Sequence, residues 1–330
     1  MDFRTEIKVQ KADFGISYAD RLFFVGSCFS SNMADRLSAF KFPLVVNPTG
    51  VLYNPASVCL LLRSLLSGRL LAESDVFLQD GVWNSFFLHS CFSSLSKDEL
   101  LNKANSALLS AKRALEQTSC LFLTFGTAWV YLLKETDTVV ANCHKVPADR
   151  FRRQRLSPEE VVGECLPVFQ ELVERNPDIH IVLTVSPIRH WKDGAHGNQL
   201  SKATLLLAVD QLCQLLPENV SYFPSYELLM DDLRDYRFYD TDMVHPSAVA
   251  VDYIWQDIRN KCIGKTDNEL MDEVAKITTA ANHRPLNPDT EEFRLFVKRQ
   301  LDIASEFASR HPNIDISEGI SKLNAMQTLG

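Results

Sequence analysis

Two short motifs, far apart in the chain, carry side chains of the types that act on acyl groups. The first, Gly26-Ser27-Cys28, sets a hydroxyl beside a thiol, and the second, Asp242-Met243-Val244-His245, sets a carboxylate three residues before an imidazole. A nucleophile, a general base and an acid that orients the base are the groups that covalent acyl transfer requires. Each motif alone is a weak signal, because serine is a frequent helix cap and the second motif could be a capped helix start. Their joint presence predicts a Cys/Ser-His-Asp site.

The elements that would position these motifs follow an alternating pattern. Apolar, strand-like runs alternate with helical patterns, which is typical of a parallel sheet covered by helices on both faces. Ligands bind beyond the carboxyl ends of the strands in such a sheet, and Ser27 and Cys28 come directly after the first strand. The predicted strands are Leu22 to Val25, Phe42 to Val46, Cys120 to Phe125, Ile179 to Val185 and Val220 to Phe223.

Three helices of the core have clear local signals. Ser157-Pro158-Glu159-Glu160 is a capping box with proline in the first turn. We expect a further helix to open at Pro246, with Val249, Tyr253 and Ile254 on its inner side. Apolar stripes at helical spacing follow the capping box (Val161, Cys165, Val168, Phe169, Leu172) and precede the third strand (Leu101, Ala104, Leu108, Ala111, Leu115).

The pattern predicts an α/β core over residues 1–263 and a helical C-terminal extension over 264–330, packed on the core. The core contains an aromatic insertion at about residues 78–118, placed where it could overhang the ends of the strands. The extension has helical patterns near Asn268 to Ala281 and after Asn287-Pro288-Asp289, and no strand follows.

Composition excludes several classes of protein. The net charge of −8 opposes non-specific binding to nucleic acid or to an anionic membrane. The N-terminus lacks the apolar region of a secretory signal, and no apolar run is long enough to span a bilayer. The eight cysteines lie singly without zinc-like spacing, so we expect a cytoplasmic protein with no metal and no cofactor. The basic cluster Arg150 to Arg155 is interpreted as a solvated loop and helix entrance, which is favoured over an anion site. The oligomeric state stays open.

Several segments together resemble one family. Over about residues 20–260, the chain looks like the GSCFA-domain family of bacterial proteins, and the order of its motifs is similar to the SGNH, or GDSL-type, hydrolase superfamily. This resemblance implies a three-layer, SGNH-hydrolase-like (flavodoxin-like) parallel sheet. The matching segments are Gly26-Ser27-Cys28-Phe29-Ser30, Asn47-Pro48-Thr49-Gly50, Tyr53-Asn54-Pro55, Gly126-Thr127-Ala128-Trp129, Asn142-Cys143-His144-Lys145 and Ser186-Pro187-Ile188-Arg189-His190.

The resemblance implies roles for individual residues. Asp242 would orient His245, and His245 would act as general base. Superfamily members read Gly-Asp-Ser at the end of the first strand, which puts Cys28 at the nucleophile position. A shift of one residue would restore Ser27, so both nucleophiles stay open.

The expected oxyanion hole departs from the superfamily pattern. Gly50 is the candidate for the backbone donor after the second strand. Ala128 stands where an asparagine is expected after the third strand, so either Thr127 or Asn142 would supply that donor, or the hole is incomplete. Loss of one such donor costs about 3 kcal/mol of transition-state stabilisation.

These patterns and the resemblance predict a hydrolase that cleaves an acyl ester, with acetyl favoured as the acyl group and either a small molecule or a carbohydrate as its carrier. The alternatives are an acyltransferase that uses a thioester intermediate and a non-catalytic binding protein on the same fold. The polar segment from Arg189 to Lys202 is predicted as a loop that either binds a polar or anionic substrate or is ordinary surface. We expect substrate contacts from Asn47, Trp83, His89, His144, Arg189 and His190.

Overall fold

The computed structural model describes residues 4–10, 14–284, 286–287 and 289–327, so Pro288, expected before the last predicted helix, lies outside the described residues. The chain divides into two compact units. The first comprises Met1–Gln10, Arg21–Ala34 and Leu44–Asp257, and the second Lys11–Asp20, Asp35–Pro43 and Ile258–Gly330. The predicted division at residues 263 and 264 stays a prediction. None of the helices in the described part of the chain has the length and apolar character to cross a bilayer.

The elements run in the following order. The strands are β1 (Leu22–Gly26), β2 (Leu44–Val46), β3 (Phe77–Gln79), β4 (Val82–Asn84), β5 (Cys120–Phe125), β6 (Trp129–Leu133), β7 (Thr138–Val140), β8 (Phe151–Arg155), β9 (His180–Val185) and β10 (Val220–Tyr222). The α-helices are α1 (Cys28–Ala39), α2 (Pro55–Ser67), α3 (Lys97–Leu115), α4 (Pro158–Arg175), α5 (Gly194–Leu215), α6 (Ser225–Glu227), α7 (Ala248–Cys262), α8 (Lys265–Ala281), α9 (Glu291–Arg310) and α10 (Ser317–Gln327).

The first unit is built on a five-stranded parallel sheet in the order β2-β1-β5-β9-β10. In this register Phe24 of β1 lies opposite Val46 of β2 on one side and Phe122 of β5 on the other. The order is that of flavodoxin-like sheets, in which the direction of winding reverses between β1 and β5. This reversal opens a crevice at the carboxyl ends of β1 and β5, directly before Cys28. The predicted α/β fold with a parallel sheet is confirmed.

The predicted strands form because their residues are apolar on both faces. Phe23 and Val25 belong to a core cluster that includes Leu121 and residues of α2, α4 and α5. On the opposite face, Phe24 stacks on Phe122 with ring centroids 4.4 Å apart. Continuous apolar runs of this kind are typical of parallel strands buried on both sides. The strands end within two residues of the predicted limits.

In two helices the buried face lies one residue away from the predicted face. The stripe of α3 begins at Leu100, which is fully buried, whereas Leu101 is only partly buried. Helix α7 begins two residues after Pro246, and its buried positions include Ala250 and Ile254. Val249 is 64% exposed, so its predicted inward orientation was wrong, because it lies one residue off the i, i+4 row that faces the core. The capping box of α4 is confirmed, with both reciprocal hydrogen bonds present.

Five short strands were not predicted. Strands β3 and β4 form an antiparallel hairpin inside the aromatic insertion, and β7, β6 and β8 form an antiparallel sheet after β5. Strand β8 has the sequence Phe-Arg-Arg-Gln-Arg, which lacks the apolar alternation that indicates a strand. The interpretation of Arg150 to Arg155 as a solvated loop was therefore wrong, because backbone pairing with β6 makes this segment a strand.

The second unit is helical in its C-terminal part, as predicted. Helices α8, α9 and α10 pack on one another, and α10 was not predicted. Thr290 caps α9 by accepting a hydrogen bond from the Phe293 N–H. The apolar residues of these helices that are fully buried include Met271, Val274, Val297, Phe307 and Leu323.

Gly26 permits the close approach of β1 and β5 that the crevice requires. Its φ of +147° disfavours a side chain, and an added Cβ would lie 2.3 Å from the Thr124 carbonyl oxygen. We therefore expect Gly26→Ala to lower the free energy of unfolding by about 2–4 kcal/mol, measured by urea denaturation. The control is Gly163→Ala, because that position inside α4 has open space and alanine should stabilise the helix by about 0.5–1 kcal/mol. Equal stability of the two variants would contradict the close approach.

Candidate functional site

A cavity of about 490 Å³ opens at the carboxyl ends of β1 and β5. Its volume suits a small-molecule ligand. The cavity lies where the sheet changes its direction of winding, as expected for a ligand site in a fold of this order. Its walls include Ser27 and Cys28 after β1, Tyr53 and Asn54 before α2, Thr127 after β5, Trp129, Tyr131, Val140 and Arg153 of the antiparallel sheet, Ile188, Arg189, His190, Lys192 and Asp193 after β9, and Val244 with His245.

Cys28 and Ser27 both line the cavity, but they differ in exposure. Cys28 is the first residue of α1 and is partly buried, whereas Ser27 is only 2% exposed. The Ser27 Oγ atom is buried without a hydrogen-bond partner among the described residues, so the cap that serine commonly forms is not made here. Burial raises the pKa of the Cys28 thiol, and backbone N–H groups at the start of α1 and Lys202 offset only part of this rise. Cys28 is therefore a protonated thiol at neutral pH and needs a base for activation.

His245 and Asp242 form a direct pair. The Asp242 Oδ2 atom lies 2.5 Å from His245 Nδ1, and Asp242 Oδ1 accepts from the backbone N–H groups of Val244 and His245, each at 2.9 Å. These bonds lower the pKa of the Asp242 carboxyl to about 2, the backbone N–H of His245 contributing most. Met243, with a φ of +58°, makes the tight turn that brings the two side chains together.

The pairing leaves the second ring nitrogen of His245 available. With the Nδ1 proton donated to Asp242, Nε2 is a lone-pair acceptor and has no hydrogen-bond partner among the described residues. His245 lines the same cavity as Cys28. A base with this orientation can take a proton from a group inside the cavity.

His190 is a second histidine in the cavity wall. Its ring meets the edge of the Tyr53 ring at 5.7 Å between centroids, and its Nε2 atom lies 3.2 Å from where a Cβ on Gly126 would be. Burial, followed by the neighbouring Lys202 ammonium, lowers the pKa of His190 to about 4. His190 is therefore neutral at physiological pH and contributes a neutral imidazole, not a charge.

Lys202 lies behind the cavity and is completely buried in α5. Its Nζ atom donates to the carbonyl oxygens of Gly126 and Ser186, both at 2.7 Å. These carbonyls directly follow β5 and β9, so one amine ties together the two strand ends that border the cavity. No carboxylate pairs with Lys202 within the described ranges, and burial lowers its pKa to about 7.

The expected oxyanion donors differ in whether they line the cavity. Gly50 does not line the cavity, and its N–H donates to the Asn47 carbonyl oxygen at 2.8 Å. Asn142 lines the cavity with its Oδ1 accepting from the His144 N–H, and its Nδ2 has no partner in the part of the chain that the structure describes. The Asn142 amide therefore presents a free donor to a ligand.

Thr127 belongs to a hydroxyl pair at the cavity wall. Its Oγ1 lies 3.1 Å from Ser201 Oγ and accepts from the Trp129 N–H, while Ser201 Oγ accepts from the Ala128 N–H. If the Ser201 hydroxyl donates to Thr127, the Thr127 proton is free for a ligand.

The predicted loop from Arg189 to Lys202 is wrong in its C-terminal part, because α5 begins at Gly194 and buries Ser201 and Lys202.

Half of the predicted substrate contacts lie in the cavity wall, namely His89, Arg189 and His190. Asn47, Trp83 and His144 do not line the cavity. Asn47 accepts from the Gly26 N–H at 2.9 Å and donates to Ser31, so it supports the end of β1. The His144 Nε2 atom is bound by two backbone carbonyl oxygens, and Trp83 lies on β4 near Lys97.

Sequence reasoning missed the cavity residues contributed by unpredicted strands and by the residues around α2. Asn54 lines the cavity while its Oδ1 caps α2 at the Ser57 N–H, 2.8 Å away. Asn54 stood within a matched motif segment, but Arg153 was recognisable only as part of a basic cluster. Within the described residues, no group of three histidine, cysteine or acidic side chains could hold a metal ion. The further missed residues of the cavity wall include Tyr53, Trp129, Tyr131, Lys192 and Asp193.

Burial of Lys202 has a measurable effect on stability. Its pKa falls from 10.5 in the unfolded chain to about 7 in the fold, so the unfolded state binds one more proton between these pH values. We expect the stability of Lys202→Met relative to wild type to fall by about 3–4 kcal/mol as pH rises from 7 to 10, because the wild type loses its penalty for burying the ammonium. Urea denaturation at several pH values measures this. The exposed control Lys134→Met should show no such trend, and a flat difference for Lys202→Met would contradict a buried ammonium.

Comparison with known proteins places the chain in a family. No curated protein matches it. An acetyl xylan esterase from the rumen bacterium Butyrivibrio proteoclasticus is similar in structure, with 11% sequence identity and a TM-score of 0.36, over 78% of this chain and 66% of that chain, just under two thirds of its length. The GSCFA family matches residues 21–258, and the C-terminal domain of GSCFA domain proteins matches residues 274–327. Because these matches cover most of the chain, and in agreement with its motifs, the protein belongs to the GSCFA family.

Proposed function

We propose that this protein is a cysteine-dependent esterase in which Cys28 is the nucleophile, His245 the general base and Asp242 the group that orients the base. The observation that supports this most is that Cys28 and His245 line one cavity, with Asp242 bound to Nδ1 of the imidazole. Cys28 is preferred over Ser27 because the Ser27 hydroxyl is buried. The order of the sheet and the Asp-x-x-His motif before a late helix also support assignment to the SGNH superfamily.

The proposed reaction has two halves, acylation of Cys28 and hydrolysis of the thioester, and the same groups act in both. His245 Nε2 takes the Cys28 proton as Sγ attacks the ester carbonyl carbon, and the tetrahedral intermediate collapses when the C–O bond to the alcohol breaks. The protonated His245 gives its proton to the departing alkoxide, leaving a thioester on Cys28. Water then attacks the thioester with His245 as base, and the carboxylic acid leaves as the Cys28 thiol is restored.

Three donors would stabilise the negative oxygen of the intermediate in this proposal. The backbone N–H of Cys28 opens α1, where the helix dipole favours negative charge. The Asn142 amide and the Thr127 hydroxyl reach the cavity from neighbouring walls. Together they would replace the asparagine donor that the superfamily places at the position of Ala128.

The preferred substrate is an acetyl ester of a carbohydrate. Tyr53, Trp129 and Tyr131 provide broad aromatic surface in the cavity wall, on which the apolar face of a sugar ring can lie. A thioester on Cys28 is also reactive toward alcohols and amines, so acyl transfer to a second substrate is the nearest alternative.

An acylation experiment separates these functions. After incubation with 4-nitrophenyl acetate, we expect intact mass spectrometry to detect one acetyl group on the wild type and on Ser27→Ala, and none at the active site of Cys28→Ala. The acylation rate of His245→Ala should be at least about 10²-fold lower than that of the wild type, because the thiol loses its base. An adduct that persists in Cys28→Ala at the wild-type rate would sink the nucleophile assignment. No adduct on the wild type would favour a binding protein.

The role of Asp242 has a matched control in the same loop. Asp242→Asn should lower kcat for 4-nitrophenyl acetate hydrolysis by about 10²-fold or more, because an amide can hold the wrong imidazole tautomer and cannot stabilise the imidazolium. Asp240→Asn should have little effect, since among the described residues the Asp240 side chain accepts a hydrogen bond only from the neighbouring Thr241 N–H. Equal losses in the two variants would indicate a structural loop rather than an orienting carboxylate.

A further inference from the structure

The cavity has a charge opposite to that of the protein. The chain carries a net charge of −8, yet three cationic side chains line the cavity: Arg153, Arg189 and Lys192. Among the described residues, Asp193 is the one carboxylate in the cavity wall, and it is bound to Arg153. The Asp193 side chain is only 2% exposed, so its carboxylate is held by Arg153, whereas the Arg153 side chain is 31% exposed. Arg189 and Lys192 are left without a carboxylate in the part of the chain that the structure describes.

Arg189 is poorly satisfied by the protein. Its Nη2 atom donates to the Met230 thioether sulfur at 3.1 Å, which is a weak acceptor. Its Nε atom is buried and has no partner among the residues described. The guanidinium of Arg189 thus lines the cavity without a strong acceptor among the described residues, and an anionic oxygen is the acceptor that a guanidinium binds best.

Lys192 is held at the cavity by a neutral contact. Its Nζ atom donates to the Tyr131 hydroxyl at 2.7 Å. Burial raises the pKa of the Cys143 thiol in the same cavity wall, and the Lys192 charge offsets part of this rise. The Arg153–Asp193 pair fixes the turn that follows Lys192. The ammonium is therefore placed at the cavity by the fold and is not neutralised there.

We propose that Arg189 and Lys192 form an anion subsite next to Cys28, so that the ester cleaved carries a carboxylate or phosphate group. This inference rests on the proposed function for the role of Cys28 as the reacting group. The subsite itself depends only on the two cations and the shape of the cavity. It gives the net-negative protein a local attraction for a substrate that its overall charge would repel.

Paired alkylating reagents test the subsite without any enzymatic turnover. Iodoacetate is anionic and iodoacetamide is its neutral counterpart, and each loses iodide as a thiolate forms the new S–C bond. Peptide mass spectrometry gives the ratio of the two rates at every cysteine. At pH 8.5 we expect this ratio to be about 3- to 10-fold higher at Cys28 than at the exposed Cys91, because nearby cations attract the anionic reagent.

Variants assign the effect to the two cations. Arg189→Gln and Lys192→Gln should each lower the Cys28 ratio by about 2-fold or more, and the double variant should bring it to the value at Cys91. The control is Arg152→Gln, because Arg152 is exposed on β8, pairs with Asp137 and lies outside the cavity. A wild-type ratio at Cys28 equal to that at Cys91, or unlabelled Cys28 with both reagents, would overturn the proposal.

Competition identifies the type of anion. Inorganic phosphate and acetate are added separately at constant ionic strength while iodoacetamide labels Cys28. Stronger protection by phosphate indicates a phosphorylated substrate, stronger protection by acetate indicates a carboxylate, and no protection by either contradicts an anion subsite. Because His245→Ala should keep the high iodoacetate ratio while losing acylation, failure of the esterase proposal is distinguishable from failure of this one.

Discussion

The site depends on the parallel pairing of β1 with β5. Five residues of β1 pair with β5, and the Ser27 N–H then bonds the Thr124 carbonyl oxygen, 3.2 Å away. This contact requires glycine at position 26, since a side chain there would meet the backbone of β5. The chain leaves β1 on one side and β5 on the other, so a crevice must open where the two strands end. Cys28 and Thr127 stand at this crevice because the strands stop there.

Burial determines which groups at the crevice carry a charge. The amine of Lys202 is completely buried and donates hydrogen bonds to the backbone carbonyls that follow β5 and β9. It has no carboxylate partner in the described ranges. Burial keeps His190 neutral and Cys28 protonated. Asp242, in contrast, stays ionised because three hydrogen bonds favour its charged form. The cavity thus contains a protonated thiol and an imidazole whose ring is held by Asp242, which is the starting state that the proposed general-base activation requires.

The parts of the fold that could be predicted are those whose signals are local. The long apolar runs of β1, β5 and β9 are buried on both faces, so their composition alone indicates parallel strands. The capping box before α4 satisfies its own backbone donors and indicates the start of that helix. The antiparallel sheet of β6, β7 and β8 was missed, because its strands are short and β8 is rich in arginine. Pairing with β6 overrides that composition.

By itself, the sequence determined the family, the parallel α/β core, the helical C-terminal region and the local Asp242–His245 pair, whose members are close in the chain. Only the tertiary structure decided which side chains meet in the cavity. Asn54, Arg153 and Lys192 come from three separate elements, and no spacing along the chain reports that they share a wall. Asn47 and His144 are also polar, but their side chains bind backbone groups outside the cavity wall. The physical reason is that burial, hydrogen-bond partners and charge at a site are set by packing between distant segments, whereas sequence patterns report only local preference and the burial of one face.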